Sequence, residues 1–199
     1  MSEIAADGIR WTKATHFIRL AIFLGIGFCL GCSGSVQNTP QAKNDGQPIA
    51  DSSEVWLPST IEVPQGMKQS DFQLRPLVLN DVRADYEAVM ESKLQLRELF
   101  GGEWPQDDFT LEQNLDDLKV HEQAFQDREA FAYTVTSPGQ ARVLGCVYIH
   151  PADDADAQVI FWVRTSELAK GTEKKLFESL KVWLTTEWPF SNVSFPGRE

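Results

Sequence analysis

The sequence predicts an α+β domain behind an N-terminal appendage, and three observations carry that expectation. Between residues 72 and 195, stretches rich in β-branched and aromatic residues alternate with stretches of helical periodicity in the order β-α-α-β-β-β-α-β. The three central strands follow one another with only turn residues between them, so they form an antiparallel meander. Residues 33–70 are dominated by Ser, Gln, Asn, Asp, Pro and Gly, with few large apolar residues, and cannot bury enough surface to offset the entropy of ordering. With 199 residues, 42% hydrophobic and 11% aromatic, the chain builds one core rather than two.

Taken in order, residues 72–79 alternate apolar and polar side chains and end at Asn80-Asp81, an N-cap signal, so a strand leads into a helix. That helix carries Val82, Tyr86, Val89 and Met90 on one face, continues with a bend through Leu94, Leu96 and Leu99, and stops at Gly101-Gly102. Thr110-Leu-Glu-Gln113 has the capping-box form, and Leu111, Leu115, Leu118 and Phe125 follow on one face of a second helix running to about Arg128. Strands are expected at 130–136, 143–149 and 157–164, the first two joined by Ser137-Pro-Gly-Gln140, whose Pro138 and Gly139 suit the centre of a type II turn. Leu176, Phe177, Leu180, Trp183 and Leu184 mark a strongly amphipathic helix, and a short strand at 193–195 closes the order.

The formal net charge of −11 argues against nucleic acid or an anionic bilayer as a direct electrostatic partner, because phosphate binding needs clustered Lys and Arg. Cysteines at 29, 32 and 146 do not make a disulfide framework. Asp153, Asp154 and Asp156 lack the Gly and distal Glu of a calcium loop, so no metal is expected there.

At the N-terminus, Arg10, Lys13, His16 and Arg19 precede an uncharged apolar run at 20–30. As a helix this run rises roughly 16 Å, well short of the ~30 Å hydrocarbon core, and reads as a signal-peptide core rather than a membrane span. The positive flank directs the chain beyond the run to the outside. Gly31-Cys32 then resembles the cleavage and lipidation site of bacterial lipoproteins, although Leu30 stands where a small or β-branched residue is usual and Cys29 where Leu is usual. The expected organisation is a lipoprotein-type signal at 1–31, a flexible tether at 32–70, of which 55–63 can dock as an extended strand, and a folded domain at 71–199. The resemblance implies a protein of the cell envelope, held to the membrane by lipid on Cys32. A start at Met67, where "MKQSDFQLRPL" reads like the beginning of a cytosolic protein, is the alternative and would make it cytoplasmic.

The order of elements, with the strand "AQVIFWVR" feeding a loop and the helix "TEKKLFESLKVWL", resembles the Gcn5-related N-acetyltransferase (GNAT) family over roughly residues 72–196. The resemblance implies a GNAT-like mixed, mainly antiparallel sheet flanked by helices, with the fourth strand splayed from the fifth. It implies acetyl-CoA as donor, its pantetheine in that gap and its pyrophosphate on backbone N–H groups at the start of the next helix, where the helix dipole favours anions. The family's signature there is Gln or Arg, two residues, Gly, one residue, then Gly or Ala. Placing Val163 and Leu176 on the flanking apolar positions puts Leu168 at the first site, Gly171 at the central Gly and Glu173 at the final small position. The implied cofactor contacts are Val163, Arg164, Ala169, Lys170, Gly171 and Thr172. Glu173 brings a carboxylate towards a pyrophosphate, and Lys170, Lys174 and Lys175 are there to offset it. A plain strand-to-helix connection with a flexible glycine accounts for the same residues.

Family members use a Glu or a water chain to deprotonate the amine and a Tyr on a further helix to protonate the departing thiolate. No tyrosine follows Tyr148 in this sequence, so a substitute acid has to come from Tyr133, Tyr148 or His150, of which Tyr148 and His150 are the candidate catalytic residues, against packed strand tyrosines and a turn histidine. His121 is expected on the exposed side of its helix, with no role. Glu103 and Trp104 fall where the family's substrate loops lie. The expected function is acetyl transfer from acetyl-CoA to a small-molecule amine. Because acetyl-CoA is a cytosolic cofactor, a non-catalytic, membrane-anchored lipoprotein that uses the fold as a binding module is the alternative.

Overall fold

The computed structural model describes residues 56–198; the signal and lipidation readings at 1–31 and Cys32 lie outside them. The chain runs through β1 (Gln73–Pro76), a 3-10 turn (Leu79–Asp81), α1 (Val82–Glu91), α2 (Lys93–Phe100), α3 (Leu111–Asp127), β2 (Phe131–Thr136), β3 (Val143–His150), β4 (Ala157–Val163), the single-turn α4 (Thr165–Leu168), α5 (Thr172–Thr186) and β5 (Val193–Ser194). The five strands lie side by side in chain order, antiparallel from β1 to β4, with β5 parallel to β4 after the α5 crossover. This is the expected α+β architecture.

Period-two alternation divides the strand side chains between two cores. Phe131, Tyr133, Val147, Ile149, Val159, Phe161 and Val163 pack with Leu176, Leu180 and Leu184 of α5. On the opposite face Ala132, Cys146, Tyr148, Ile160 and Trp162 pack with Ala88, Val89, Leu96 and Leu118 of the N-terminal helices. Covered on both faces, β2 and β3 are buried along their whole length.

The local signals hold in most places. Thr110 and Gln113 form the reciprocal capping box of α3. The Ser137–Gln140 turn closes with Gln140 N–H on the Ser137 carbonyl at 2.8 Å, and Gly139 at φ 79°, ψ 2° has the geometry of a type II turn. At the end of α2 the N–H groups of Gly101 and Gly102 return to the carbonyls of Glu98 and Arg97, a Schellman motif.

Three expectations are corrected. Asp81 does not cap α1; its carboxylate takes a bidentate contact from Arg75 at 2.6 and 2.7 Å and the Thr134 hydroxyl at 3.0 Å. The first helix is broken, not bent, at Ser92 (φ −105°, ψ 11°), whose buried hydroxyl serves a loop elsewhere in the fold. Residues 56–70 pack on the domain instead of trailing from it. Leu57 and Val63 are 2% and 8% exposed within the α5-side core, Arg128 donates to the carbonyls of Pro58 and Ile61, and the Tyr133 hydroxyl donates to Pro64. Residues 56–63 form no strand; a single bridge, Lys68 to Gln73, joins the segment to the sheet.

Candidate functional site

Two places in the fold have the makings of a site: the wedge between β4 and β5, and a polar cavity under the N-terminal helices. In the wedge, strand pairing covers Ala157 with Val193 and Gln158 with Ser194 and goes no further. Phe195 then turns onto the Phe177 ring, 5.0 Å between centroids, so β5 leaves the outer edge of β4 from Val159 onward. At the open end the chain passes through Arg164 and α4 to Gly171, which stands at the N-cap of α5 in the left-handed region (φ 73°). Beside it lies a cleft of about 370 Å³ lined by Leu99, Leu168, Glu173 and Arg198 among others.

The fold brings Val163, Arg164, Ala169, Lys170, Gly171 and Thr172 to this one place, and most of their polar groups are engaged within the chain. Val163 is core. The buried Arg164 guanidinium donates to the carbonyls of Val143 (2.6 Å) and Ala84 (3.1 Å) and to Glu91 (2.7 Å). Thr165 N–H goes to the Ser92 hydroxyl and Ser166 N–H to the Glu91 carboxylate, each at 3.1 Å. Burial alone raises the Glu91 pKa, but Ser166 and Arg164 prevail and hold it at about 2. The first-turn N–H groups of α5 have no intrahelical partner, and next to them sits Glu167. Its carboxylate accepts from Arg142 at 2.7 Å, Lys170 at 2.9 Å and the Thr172 hydroxyl at 3.1 Å. Lys170 and Thr172 keep Glu167 ionised in spite of burial, its pKa lying below the usual carboxylate value. Glu173 turns to Arg198 at 2.8 Å. Arg198 in turn donates to the Phe161 carbonyl on the open edge of β4 at 3.1 Å and lies over the Phe161 ring at 3.9 Å.

The second place is a cavity of about 40 Å³ between α1, α3 and β3. Its floor is buried: Asp85 accepts from Asn114 at 3.0 Å and from the Cys146 thiol at 3.4 Å, and Tyr148 takes the Trp162 indole N–H at 3.5 Å. Its mouth is made of the half-buried Trp104, Asp117 and His121. Trp104 donates its indole N–H to Asp117 at 3.3 Å and sets its edge against Phe100 and Phe109. Arg97, donating to the Pro105 carbonyl and to Asp107, fixes the loop that carries it. Glu103 points outward, exposed. Burial, reinforced by the charges of Asp85 and Asp116, lifts Asp117 to about 6 against the Trp104 hydrogen bond, and burial raises Asp85 as well. Burial, with His150 nearby, lowers His121 to about 4.

His121 therefore corrects the sequence reading. It is three residues after Leu118 and four before Phe125, which places it on the inner face of α3, its ring 5.0 Å from that of Tyr148. Tyr148 and His150 both face the N-terminal helices. His150 is the last residue of β3, 3% exposed, with Nε2 buried and unpartnered among the described residues. By register Tyr148 stands opposite Ile160 and His150 opposite Gln158, so both are one strand removed from the wedge. Glu91, Glu167 and Arg198 escaped the sequence reading, since each acts through partners distant in the chain. The spacing of Asp117 and His121, one turn apart on α3, is the local signal that points to that pair.

No protein-family profile matches the sequence, and no curated protein sequence matches it. Solved structures do. A Vibrio cholerae protein assigned as a ribosomal-protein-serine acetyltransferase is similar at 14% identity over 67% of this chain and 75% of its own, with TM-score 0.55. The microcin C7 self-immunity acetyltransferase MccE, solved with acetyl-CoA and AMP, is similar at 14% identity over 63% of this chain and 71% of its own, TM-score 0.50. RimL, the ribosomal L7/L12 α-N-protein acetyltransferase solved with coenzyme A, is similar at 17% identity over 60% of this chain and 68% of its own, TM-score 0.50. Against the Vibrio fischeri ribosomal-protein-S5-alanine acetyltransferase the chain spans 66% of that structure's length. At these identities the likeness is one of fold, and the fold of this chain is that of the GNAT acetyltransferases.

Proposed function

We propose that the domain is a GNAT-type N-acetyltransferase that takes acetyl-CoA along the open edge of β4 and passes the acetyl group from sulfur to the nitrogen of a small amine, releasing the thiol. One observation carries this reading. The parallel β4–β5 pair holds for two residues and then parts, leaving a strand edge without a strand partner that runs towards the first turn of α5. Such an edge offers backbone groups to an extended ligand, and such a helix start favours an anion. MccE and RimL, which share the fold, were solved with acetyl-CoA and coenzyme A.

A second reading has its own support. The loop N–H groups of Thr165 and Ser166 are already taken, and Glu167 and Glu173 put carboxylates beside the α5 N-terminus. These features favour a non-catalytic module that keeps the fold. We also propose that the chain is anchored in the cell envelope by lipid on Cys32, where acetyl-CoA is not expected; that setting favours the second reading.

Thermal melting of the full chain with and without CoA separates the two, because a ligand bound by the native state alone raises the melting temperature, by about 2.7 kcal/mol of stabilisation at a hundredfold excess over Kd. A dose-dependent rise supports the transferase and justifies an amine screen. No rise with either CoA or acetyl-CoA leaves the binding module. Intact mass of the protein extracted from membrane and soluble fractions tests the anchor: a membrane species beginning at Cys32 with added lipid supports it, and a soluble species beginning at Met67 overturns it.

A further inference from the structure

The wedge between β4 and β5 is closed by the chain itself. Phe195-Pro-Gly-Arg198 makes a turn in which the Arg198 N–H returns to the Phe195 carbonyl at 3.1 Å, with Gly197 at φ 75°, the pattern of a type II turn centred on Pro196 and Gly197. Its two ends straddle a pair of stacked rings: Phe195 meets Phe177 edge to face, Phe177 stacks on Phe161 at 5.7 Å, and the Arg198 guanidinium lies over Phe161. The Phe161 carbonyl that accepts from Arg198 belongs to the edge of β4 that β5 has left. In a strand the N–H and C=O of one residue point the same way and neighbours alternate, so Phe161 turns its N–H to the wedge as well. Trp162 turns its own to β3, as Arg164 does in donating to Leu144. What holds the turn is thin beside what holds the sheet. None of residues 193–198 is buried, while β3 is buried along its whole length. The Arg198–Glu173 pair has both side chains partly in solvent, where ion pairs contribute little. Few buried contacts and exposed hydrogen bonds mark a segment that opens locally at small cost.

We infer that residues 195–198 are a flap that shuts the open edge of β4 and opens independently of the sheet. Closed, it sets the Arg198 guanidinium where an extended ligand would pair with the strand. Open, it joins the wedge to the cleft of about 370 Å³, of which Gly197 and Arg198 form one wall. Occupancy of the wedge is then governed by the flap, because a ligand that needs the open form binds with its intrinsic affinity reduced by the open fraction. That the ligand is acetyl-CoA rests on the transferase reading above; that the flap opens does not.

The first test is amide hydrogen exchange on the full chain without ligand, in a series of low urea concentrations. The Phe161 N–H is expected to exchange about tenfold faster or more than that of Trp162 beside it, and with little dependence on urea, since a four-residue flap exposes little surface when it opens. Gly197→Ala keeps Arg198, and its added methyl group meets nothing within 4 Å, but it disfavours the left-handed φ on which the turn depends. It is expected to speed Phe161 exchange about fivefold or more. Arg198→Ala, which removes the guanidinium and leaves the turn, is expected to act the same way. Phe161 exchanging as slowly as Trp162 with the same urea dependence means that the edge opens only with the sheet, and overturns the inference. Fast Phe161 exchange that neither variant alters overturns it too. CoA melts of the parent and Gly197→Ala keep the two readings apart. A flap that opens, with no CoA-induced rise in either chain, overturns the transferase and leaves the flap standing, whereas a CoA-induced rise no larger in Gly197→Ala than in the parent overturns the flap as the control on entry.

Discussion

The guanidinium of Arg198 lies across the Phe161 ring and donates to the Phe161 carbonyl on the unpaired edge of β4, while its other partner, Glu173, sits in the first turn of α5. One residue thus spans the two groups that an extended anionic thioester has to reach. Arg198→Ala is expected to free that edge and to enlarge the CoA-induced rise in melting temperature over that of the parent chain. Glu173→Ala, which leaves Arg198 unpaired beside the cleft, is expected to move CoA binding the same way. The two melts, each against its own ligand-free control, check both.

Between pH 6.5 and 4 the pH dependence of stability is expected to be set mainly by the two histidines on the N-terminal-helix face, with the loss of ionised Glu91 following at lower pH. His121 and His150 are each lowered by burial from 6.5 to about 4. A base whose folded pKa is depressed contributes stability that is full above its unfolded pKa and is lost as pH falls through the window from 6.5 to 4. For the deeply buried His150 the loss reaches about 3 kcal/mol at most. Asp117, raised from 3.8 to about 6, acts in the opposite sense, its contribution being full below 3.8 and lost as pH rises through about 6. His150→Phe is therefore expected to melt closer to its neutral-pH temperature at pH 5 than the parent does, read by calorimetry at the two pH values.

Gly145 is the point at which β3 and β4 approach each other most demandingly. A methyl group there would run into the backbone carbonyl of Trp162 and the Cα of Val163, neither of which can yield without disturbing the ladder. Gly145→Ala is expected to cost about 1–3 kcal/mol or more as overpacking, visible as a lowered midpoint in urea, and to displace Val163 and Arg164 at the head of the α4 loop.

Leu57→Ala is expected to cost about 2–5 kcal/mol, the range for truncating a fully buried leucine, although the residue lies in a stretch of tether-like composition. A chain begun at Met67 lacks Leu57, Ile61 and Val63 together, and its melting temperature is expected to fall further than that of the point variant.

The composition misled there for a physical reason. Residues 56–64 contain no periodic pattern, and each buried side chain is flanked by Pro, Ser or Glu; the segment is held by Arg128 and Tyr133, more than sixty residues away. Patterns that act within a turn or along a strand were legible: the Thr110 capping box, the Ser137–Gln140 turn, the alternation in β2 to β4 and the apolar stripe of α5. Sequence order together with the strand-loop-helix at 157–184 was enough to suggest the fold. Side chains committed to distant partners were not legible. Asp81 looked like a cap and was claimed by Arg75 and Thr134, and Ser92 ended a helix because Thr165 needed its hydroxyl. For the candidate sites the balance is poorer. The loop at 163–172 is visible in the strand-to-helix pattern, but the carboxylates that fill it come from Glu91 and Glu167, and His121 lies on the inner face of α3, as its spacing from Leu118 and Phe125 dictates, rather than on the expected exposed side.

The N-terminal segment reaches the core through contacts set one behind another: the Trp56 indole on the Asp156 carbonyl, Arg128 on Pro58 and then Ile61, and Tyr133 on Pro64. A load drawn through residue 56 meets them singly and in that order. The segment is therefore expected to yield before the sheet does. Drag on a domain held to a surface by this end would be spent first on a strap of about ten residues, with the five strands behind it left standing.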